Sequence, residues 1–176
     1  MRQVDVTGMR VDAEIVVAAA PEVVWDLLAD ITNVGIWSPE CIRTAWLDDR
    51  PGVRPGARFS GRNRLPDGRG WTVTCVITEA DRPRMLAWVV LDDEDDTQTV
   101  EHPSSRWRYD LDAAAGGGTI VRHRFVHGPG DSRLRWMLRD HPQRSAEIVE
   151  TRQRMLQANM THTLAAMKAA AEQRRL

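Results

Sequence analysis

Along most of this chain apolar residues recur at every second position, and near its end they recur at every third or fourth. Val11, Ala13, Ile15 and Val17 alternate with Asp12, Glu14 and Val16, which predicts a half-buried strand. Pro21, at a first helical position, opens a short helix with Val24, Trp25, Leu28 and Ile31 on one face. Thr32, Asn33 and Gly35 interrupt it. The following GIWSP, ending at Pro39, makes a turn or a second short helix with Trp37 at a boundary. Cys41 to Leu47 reads as a strand, and Pro51, Gly52, Pro55 and Gly56 form the next connection.

A succession of strands follows. Ala57 to Arg64 sets Phe59, Gly61 and Asn63 against Arg58, Ser60, Arg62 and Arg64. After the turn Pro66-Asp67-Gly68, Trp71 to Glu79 sets Trp71, Val73, Cys75 and Ile77 against Thr72, Thr74, Val76 and Thr78. Met85 to Leu91 puts Leu86, Trp88 and Val90 on one face, and Asp92 to Asp96 reads as a solvated acidic loop. Arg106 to Leu111 sets Trp107, Tyr109 and Leu111 against Arg106, Arg108 and Asp110. The glycines 116–118 turn the chain into Thr119 to His127, where Val121, His123 and Phe125 oppose Arg122 and Arg124. Short turns between alternating strands predict an antiparallel meander with one covered and one wet face.

The period then changes. Roughly Arg144 to Gln173 contains no Pro or Gly and is rich in good helix formers. Pro142 stands just before it and Ser145 offers a cap near its start. At 1.5 Å per residue the helix spans about 45 Å. Steps of roughly 100° gather Ile148, Val149, Leu156, Met160, Thr163, Leu164, Met167 and Ala171 on one side. Glu147, Glu150, Arg154, Thr161, Lys168 and Glu172 fall opposite. A helix this one-sided needs a large apolar partner, and the strands supply it. The expected fold is α+β: one strand, two short helices, six strands and a long terminal helix gripped by a curved seven-stranded sheet. Residues 128–142, with Leu134, Trp136, Met137 and Leu138, read as a semi-ordered loop or short helix at a cavity mouth. Residues 1–10 read as a leader and 11–173 as one domain.

Composition narrows the function classes. Lys plus Arg is 24 and Asp plus Glu is 25, a net charge of −1, which argues against a general nucleic-acid or anionic-membrane binder. The start lacks a signal-peptide core, and the apolar stretch Ile15 to Leu28 is broken by Pro21, Glu22 and Asp26. The expectation is therefore a cytoplasmic protein with no integral membrane segment. Two cysteines, Cys41 and Cys75, form neither a disulfide framework nor a zinc motif. Seven Trp against one Tyr and two Phe suit a bulky core or an aromatic-lined pocket.

Several segments carry a family resemblance: AEIVVAAAPEVVWDLLADI, the WSP, PGARFSGRNR, VTCVITEADRPRMLAWVV, SRWRYDL, GGGTIVRHRF and the amphipathic terminal helix. Together they resemble the START-like helix-grip superfamily (SRPBCC), in its polyketide cyclase/dehydrase branch, from about Val11 to Ala171. The resemblance implies a curved seven-stranded sheet around the last helix, with a cavity for an apolar ligand between them. Relatives include lipid carriers, plant hormone and allergen-type binders, aromatic polyketide cyclases and chaperone cofactors. The superfamily shares no catalytic motif, so it transfers no catalytic residue.

The alternation supplies its own candidates. With Trp71, Trp88 and Trp107 on the covered face, Asn63, Tyr109 and His123 point inward too. Buried polar groups cost about 1–3 kcal/mol each unless paired, so three on one face imply a hydrogen-bond network or a cavity. Expected ligand-lining residues are Trp37 from the turn after the first helix, Phe59, Asn63, Trp71, Trp88, Trp107, Tyr109 and His123 from the sheet, and Met155, Leu156, Asn159, Met160, Thr163 and Met167 from the last helix. Arg152 lies at the edge of the helix stripe. His123 is the one weak catalytic candidate, alone or with Asn63 and Tyr109 on a carbonyl, against a neutral core histidine. No metal site is expected: His123 and His127 share a face but sit about 13 Å apart. The arginines of the wet face pair with Asp110, Glu79 and the acidic loop, or dock an acidic partner such as an acyl carrier protein.

The leading expectation is a binder of a small hydrophobic, aromatic, polyketide- or lipid-like molecule, requiring no cofactor. Alternatives are a cyclase or dehydratase using the same cavity and a protein-interaction module of the chaperone-cofactor type. A second copy of the chain, as homodimer, is a further partner option.

Overall fold

Seven strands make one antiparallel sheet: β1 (Arg10–Val17), β2 (Cys41–Trp46), β3 (Arg58–Arg64), β4 (Gly70–Asp81), β5 (Met85–Asp92), β6 (Ser105–Ala113) and β7 (Thr119–His127). Helices α1 (Pro21–Ala29) and α2 (Val34–Trp37) follow β1, α3 (Arg133–Asp140) follows β7, and α4 (Ser145–Gln173) ends the fold. The structure is a computed structural model describing residues 4–92 and 96–174. Sheet order is β1-β7-β6-β5-β4-β3-β2: a meander from β2 to β7, with β1 returning beside β7. This is the helix-grip α+β arrangement, a curled sheet with a long helix in its concavity.

Register explains why the indoles gather on one side. Trp88 lies opposite Trp107, Trp107 opposite Phe125, and Tyr109 opposite His123, so each strand's inward set meets its neighbour's. Register shifts between Cys41 and Arg43 in β2 and between Ile77 and Glu79 in β4 bend the strands they interrupt. The buried residues of α4 are Ser145, Ile148, Leu156, Met160, Thr163, Leu164, Met167 and Ala171, close to the stripe the period predicts. Val149 is half-buried beside a cluster of Val6, Leu134, Leu138 and Ile148. Ser145 does not cap: it is the first helical residue, and its hydroxyl donates to the Pro142 carbonyl at 2.8 Å.

The helix does not stand over the middle of the sheet. Its principal backbone neighbours are β1, β7 and the three shorter helices. Over the central strands the gap is filled by side chains, and inward-facing Trp71, Val90 and Trp107 keep part of their surface exposed. Two polar ties hold the helix's far end to β1: Lys168 Nζ donates to the Val16 carbonyl, and Glu172 accepts from the Ala18 N–H.

Three expectations change at the periphery. Residues 4–9, read as leader, lie against the domain: Val6 is 3% exposed and the Gly8 N–H donates to the His127 carbonyl. The segment after β7 is a helix, α3, capped by Ser132, whose hydroxyl accepts from Arg135 N. Asp92 is buried and its N–H donates to Gln98 Oε1, so it belongs to the strand and not to a solvated loop. The rest of that acidic loop, 93–95, lies outside the described residues.

On the wet face the arginines of β6 and β7 are matched by acids. Arg108 pairs with Asp110 and Glu79, Arg122 with Glu14 and Asp112, and Arg124 with Asp12. Arg106 instead donates to the carbonyls of Val100 and Glu101. Among the described residues no ion pair reaches Arg58, Arg62 or Arg64 on β3. No helix among them is long and apolar enough to cross a membrane.

Candidate ligand-binding site

A row of ring contacts crosses the concave face. Trp46 meets Phe59 at 5.9 Å between centroids, Phe59 meets Trp88 at 6.0 Å, and Trp88 meets Tyr109 at 5.8 Å. Tyr109 then stacks on His123 at 3.9 Å, His123 meets Trp107 at 5.1 Å, and Trp107 meets Phe125 at 4.9 Å. Edge-to-face and offset geometries of this kind add about 0.5–1.5 kcal/mol per pair beyond area burial. The row also makes the middle of the face a continuous π surface.

His123 is the anomaly within it. The residue is 4% exposed, and neither Nδ1 nor Nε2 has a hydrogen-bond partner. Burial pushes its pKa down to about 3, so the ring is neutral near pH 7, with one donor and one acceptor. Burial likewise raises the Tyr109 phenol, which stays protonated. His127, on the same strand face, is fully accounted for: Nδ1 meets the Gly128 carbonyl at 2.8 Å and Nε2 the Ser132 hydroxyl at 2.9 Å. One inward histidine is structural. The other is unmatched.

An opening lies beside α4 at the β3–β4 hairpin. A cleft of about 350 Å³ lies between α4 and the β3–β4 hairpin, lined by Pro39, Glu40, Arg64, Leu65, Pro66, Gly68, Met155 and Asn159. One of its lining residues, Glu40, is held by a bidentate pair. Arg152 Nη1 and Nη2 donate to the two Glu40 carboxylate oxygens at 2.7 and 2.9 Å, and Asn159 Nδ2 adds a contact at 3.3 Å. The last inward pair of the hairpin, Asn63 opposite Trp71, adjoins the cleft, since Arg64 is opposite Gly70. On the same face Trp71, Val90 and Trp107 keep part of their surface exposed, and Trp107 contacts His123.

The expected site residues fall into three groups. Trp88, Trp107, Tyr109, His123 and Phe59 form the aromatic row; Met155 and Asn159 line the cleft, with Asn63 and Trp71 beside it. Leu156 and Met160 pack with Val11 and Phe125, while Trp37 and Met167 belong to the main core. Thr163 uses its hydroxyl on the Asn159 carbonyl at 2.8 Å. The trio His123, Asn63 and Tyr109 does not assemble: Asn63 is on β3, three strands from β6, at the hairpin end. Cys41 is half-buried, and burial pushes its thiol up to about 11, as befits a packing residue. No group of three or more His, Cys, Asp or Glu among the described residues could hold a metal ion.

Sequence reasoning misses three residues here, Trp46, Glu40 and Arg133, and the partner of a fourth, Arg152. Trp46 faces inward by the same alternation as its neighbours and could have been found by it. Glu40 and Arg152 meet across 112 positions, which no local pattern reveals. Arg133 reaches over Trp71 from α3, with its guanidinium carbon 4.6 Å from the ring centre.

Comparison with known proteins places this geometry. The sequence profile of the family described as "Polyketide cyclase / dehydrase and lipid transport" matches residues 9–172. Among curated proteins none matches the chain. A polyketide-cyclase-like protein of Corynebacterium glutamicum, solved by NMR, is 27% identical with a TM-score of 0.64, over 94% of this chain and 92% of that one. An aromatase/cyclase from a Streptomyces species is 18% identical with a TM-score of 0.64, over 95% of each chain. The di-domain aromatase/cyclase of the steffimycin biosynthetic pathway is 16% identical with a TM-score of 0.72, over 96% of this chain and 52% of that one. The last two likenesses are of fold.

Proposed function

The chain belongs to the polyketide cyclase/dehydrase and lipid transport family, and we propose that it binds a small, largely apolar molecule with an aromatic body between the sheet and α4. The guest enters by the cleft at the β3–β4 hairpin and lies along Trp71 and Trp107, indoles of that face that keep part of their surface exposed. The observation that carries this reading is His123, a buried imidazole with both nitrogens unmatched in an otherwise apolar, aromatic neighbourhood. Leaving such groups without partners costs about 1–3 kcal/mol, and a guest hydroxyl or carbonyl beside the ring recovers it. Flat indole walls suit a fused-ring or polyketide-like body, and Met155 at the cleft adapts to its shape.

The same cavity in an aromatase/cyclase role is the second reading, supported by the names of the two aromatase/cyclase neighbours. It would ask His123 to move a proton. With a pKa near 3 the ring is a poor acceptor near neutral pH, where a general base works best with a pKa close to the working pH. Binding is therefore the reading adopted. Titration with the neutral dye N-phenylnaphthylamine tests it. A saturable, one-to-one fluorescence rise, weakened about tenfold or more in W107A at unchanged folding, is expected. No saturable binding by the native protein would refute it.

A further inference from the structure

The three arginines of α3 have different surroundings. Arg139 pairs with Asp131 at 2.7 Å, and Arg135 donates to the Gly130 and Gly128 carbonyls and the Thr7 hydroxyl. Arg133 has no such partner among the described residues: no carboxylate or carbonyl accepts from it, and its Nε is buried and unmatched. What it does have is two indoles, with its guanidinium carbon 4.6 Å from the Trp71 ring centre and 6.0 Å from that of Trp136. The adjacent acid, Asp131, is fully engaged by Arg139, the Trp136 Nε1–H and the Ser132 N–H. So a half-buried cation lies over Trp71, toward the hairpin end of the concave face, with no anion paired to it among the described residues.

We propose that the guest ends in a carboxylate and that Arg133, seated on Trp71, receives it. This deepens the ligand-binding reading above and rests on it. A guanidinium lying on an indole keeps its N–H edge free, and that planar edge matches a carboxylate with two parallel hydrogen bonds. A partly desolvated charge is costly alone and is relieved by an anion brought by the ligand. Trp71 is the inward partner of Asn63 and sits one residue from the pair Arg64–Gly70 at the cleft, so the carboxylate would stop at the entrance. The apolar body then points along the row with its other polar group at His123. The ligand class is an amphipathic aromatic acid, bound in one orientation.

The test compares pyrenebutyrate with its neutral analogue pyrenebutanol on the native protein, R133Q and R133K, by calorimetry and Trp fluorescence. Native protein should bind the acid about tenfold or more tightly than the alcohol, with a preference that shrinks as salt rises. In R133Q the two affinities should come within about twofold by loss of the acid's advantage, the alcohol binding unchanged; R133K, lacking the fork, should fall between. Equal affinities in the native protein, an undiminished preference in R133Q, or an equal loss for both ligands would overturn the assignment. The native comparison stands even if a variant fails to fold. Absence of binding by both compounds would instead refute the ligand-binding reading and this one with it.

Discussion

The imidazole of His123 lies face to face with the phenol ring of Tyr109, their centroids 3.9 Å apart and their planes 8° from parallel. The two residues are register partners across β6 and β7, so strand pairing sets the stack. Stacking uses the faces of the imidazole and leaves its nitrogens at the edge. They are buried there, and no protein group hydrogen-bonds to them.

That burial has a pH signature. Above the unfolded value of about 6.5 the ring is neutral in both states and costs nothing in protonation. As pH falls below it, the unfolded chain takes up a proton that the folded chain refuses until about pH 3, so stability falls across this window. At pH 5 the loss is about 2 kcal/mol from this residue. Asp12, Asp26 and Asp131, lowered chiefly by hydrogen bonds from arginines, and the lowered His127 act in the same direction at low pH. Urea unfolding of H123F against the native chain isolates the His123 share: the stability difference between pH 7 and pH 5 should be smaller in H123F. Identical pH dependences would refute the prediction.

Glu40 and Arg152 are 14% and 24% exposed and hold the WSPE segment to α4 through a bidentate pair. Replacing the carboxylate leaves the guanidinium and Asn159 short of an acceptor. E40Q should lose about 1–3 kcal/mol of stability, read by urea unfolding. A loss under about 0.5 kcal/mol would show that the pair is solvated and weak.

The cleft can be blocked from the helix. Met155 lines it and is half-buried, so a larger indole there points into open space and not into the core. M155W should weaken N-phenylnaphthylamine binding about tenfold while leaving the unfolding midpoint within a few degrees, roughly the shift of 1 kcal/mol in a chain of this size. Unchanged dye affinity would place the guest elsewhere.

Gly128 marks a close backbone approach between the end of β7 and the loop before β6. A Cβ there would fall 2.0 Å from the Pro103 carbonyl oxygen, a backbone atom that cannot swing away. G128A should destabilise by about 1–3 kcal/mol or more, measured by thermal unfolding. A neutral result would mean that the 96–104 loop yields freely.

The fold was legible because two periods dominate the chain. Strand alternation placed Trp88, Trp107, Tyr109 and His123 on one face, and the 3.6 period picked out Ile148, Leu156, Met160, Leu164, Met167 and Ala171, all buried. Such patterns report which face a residue is on. They do not report position along the face, so Asn63 and His123 share a side but lie at different ends of the sheet. Nor do they reach non-local polar pairs: Glu40 and Arg152 are joined only once α4 has docked. Arg133 was invisible for a further reason, since an arginine in a polar segment reads as solvated until Trp71 is seen beneath it. Val6 and Asp92 show the same limit, a short apolar motif and an acid whose burial is decided by what folds over them.

The central claim is that the unmatched edge of His123 meets a guest. Histidine-selective nitrogen NMR during titration with pyrenebutanol tests it most directly, with His127, already bonded to Gly128 and Ser132, as internal control. The account predicts that the His123 ring nitrogens shift on saturation while those of His127 stay in place. A His123 signal unmoved at saturating ligand would contradict it.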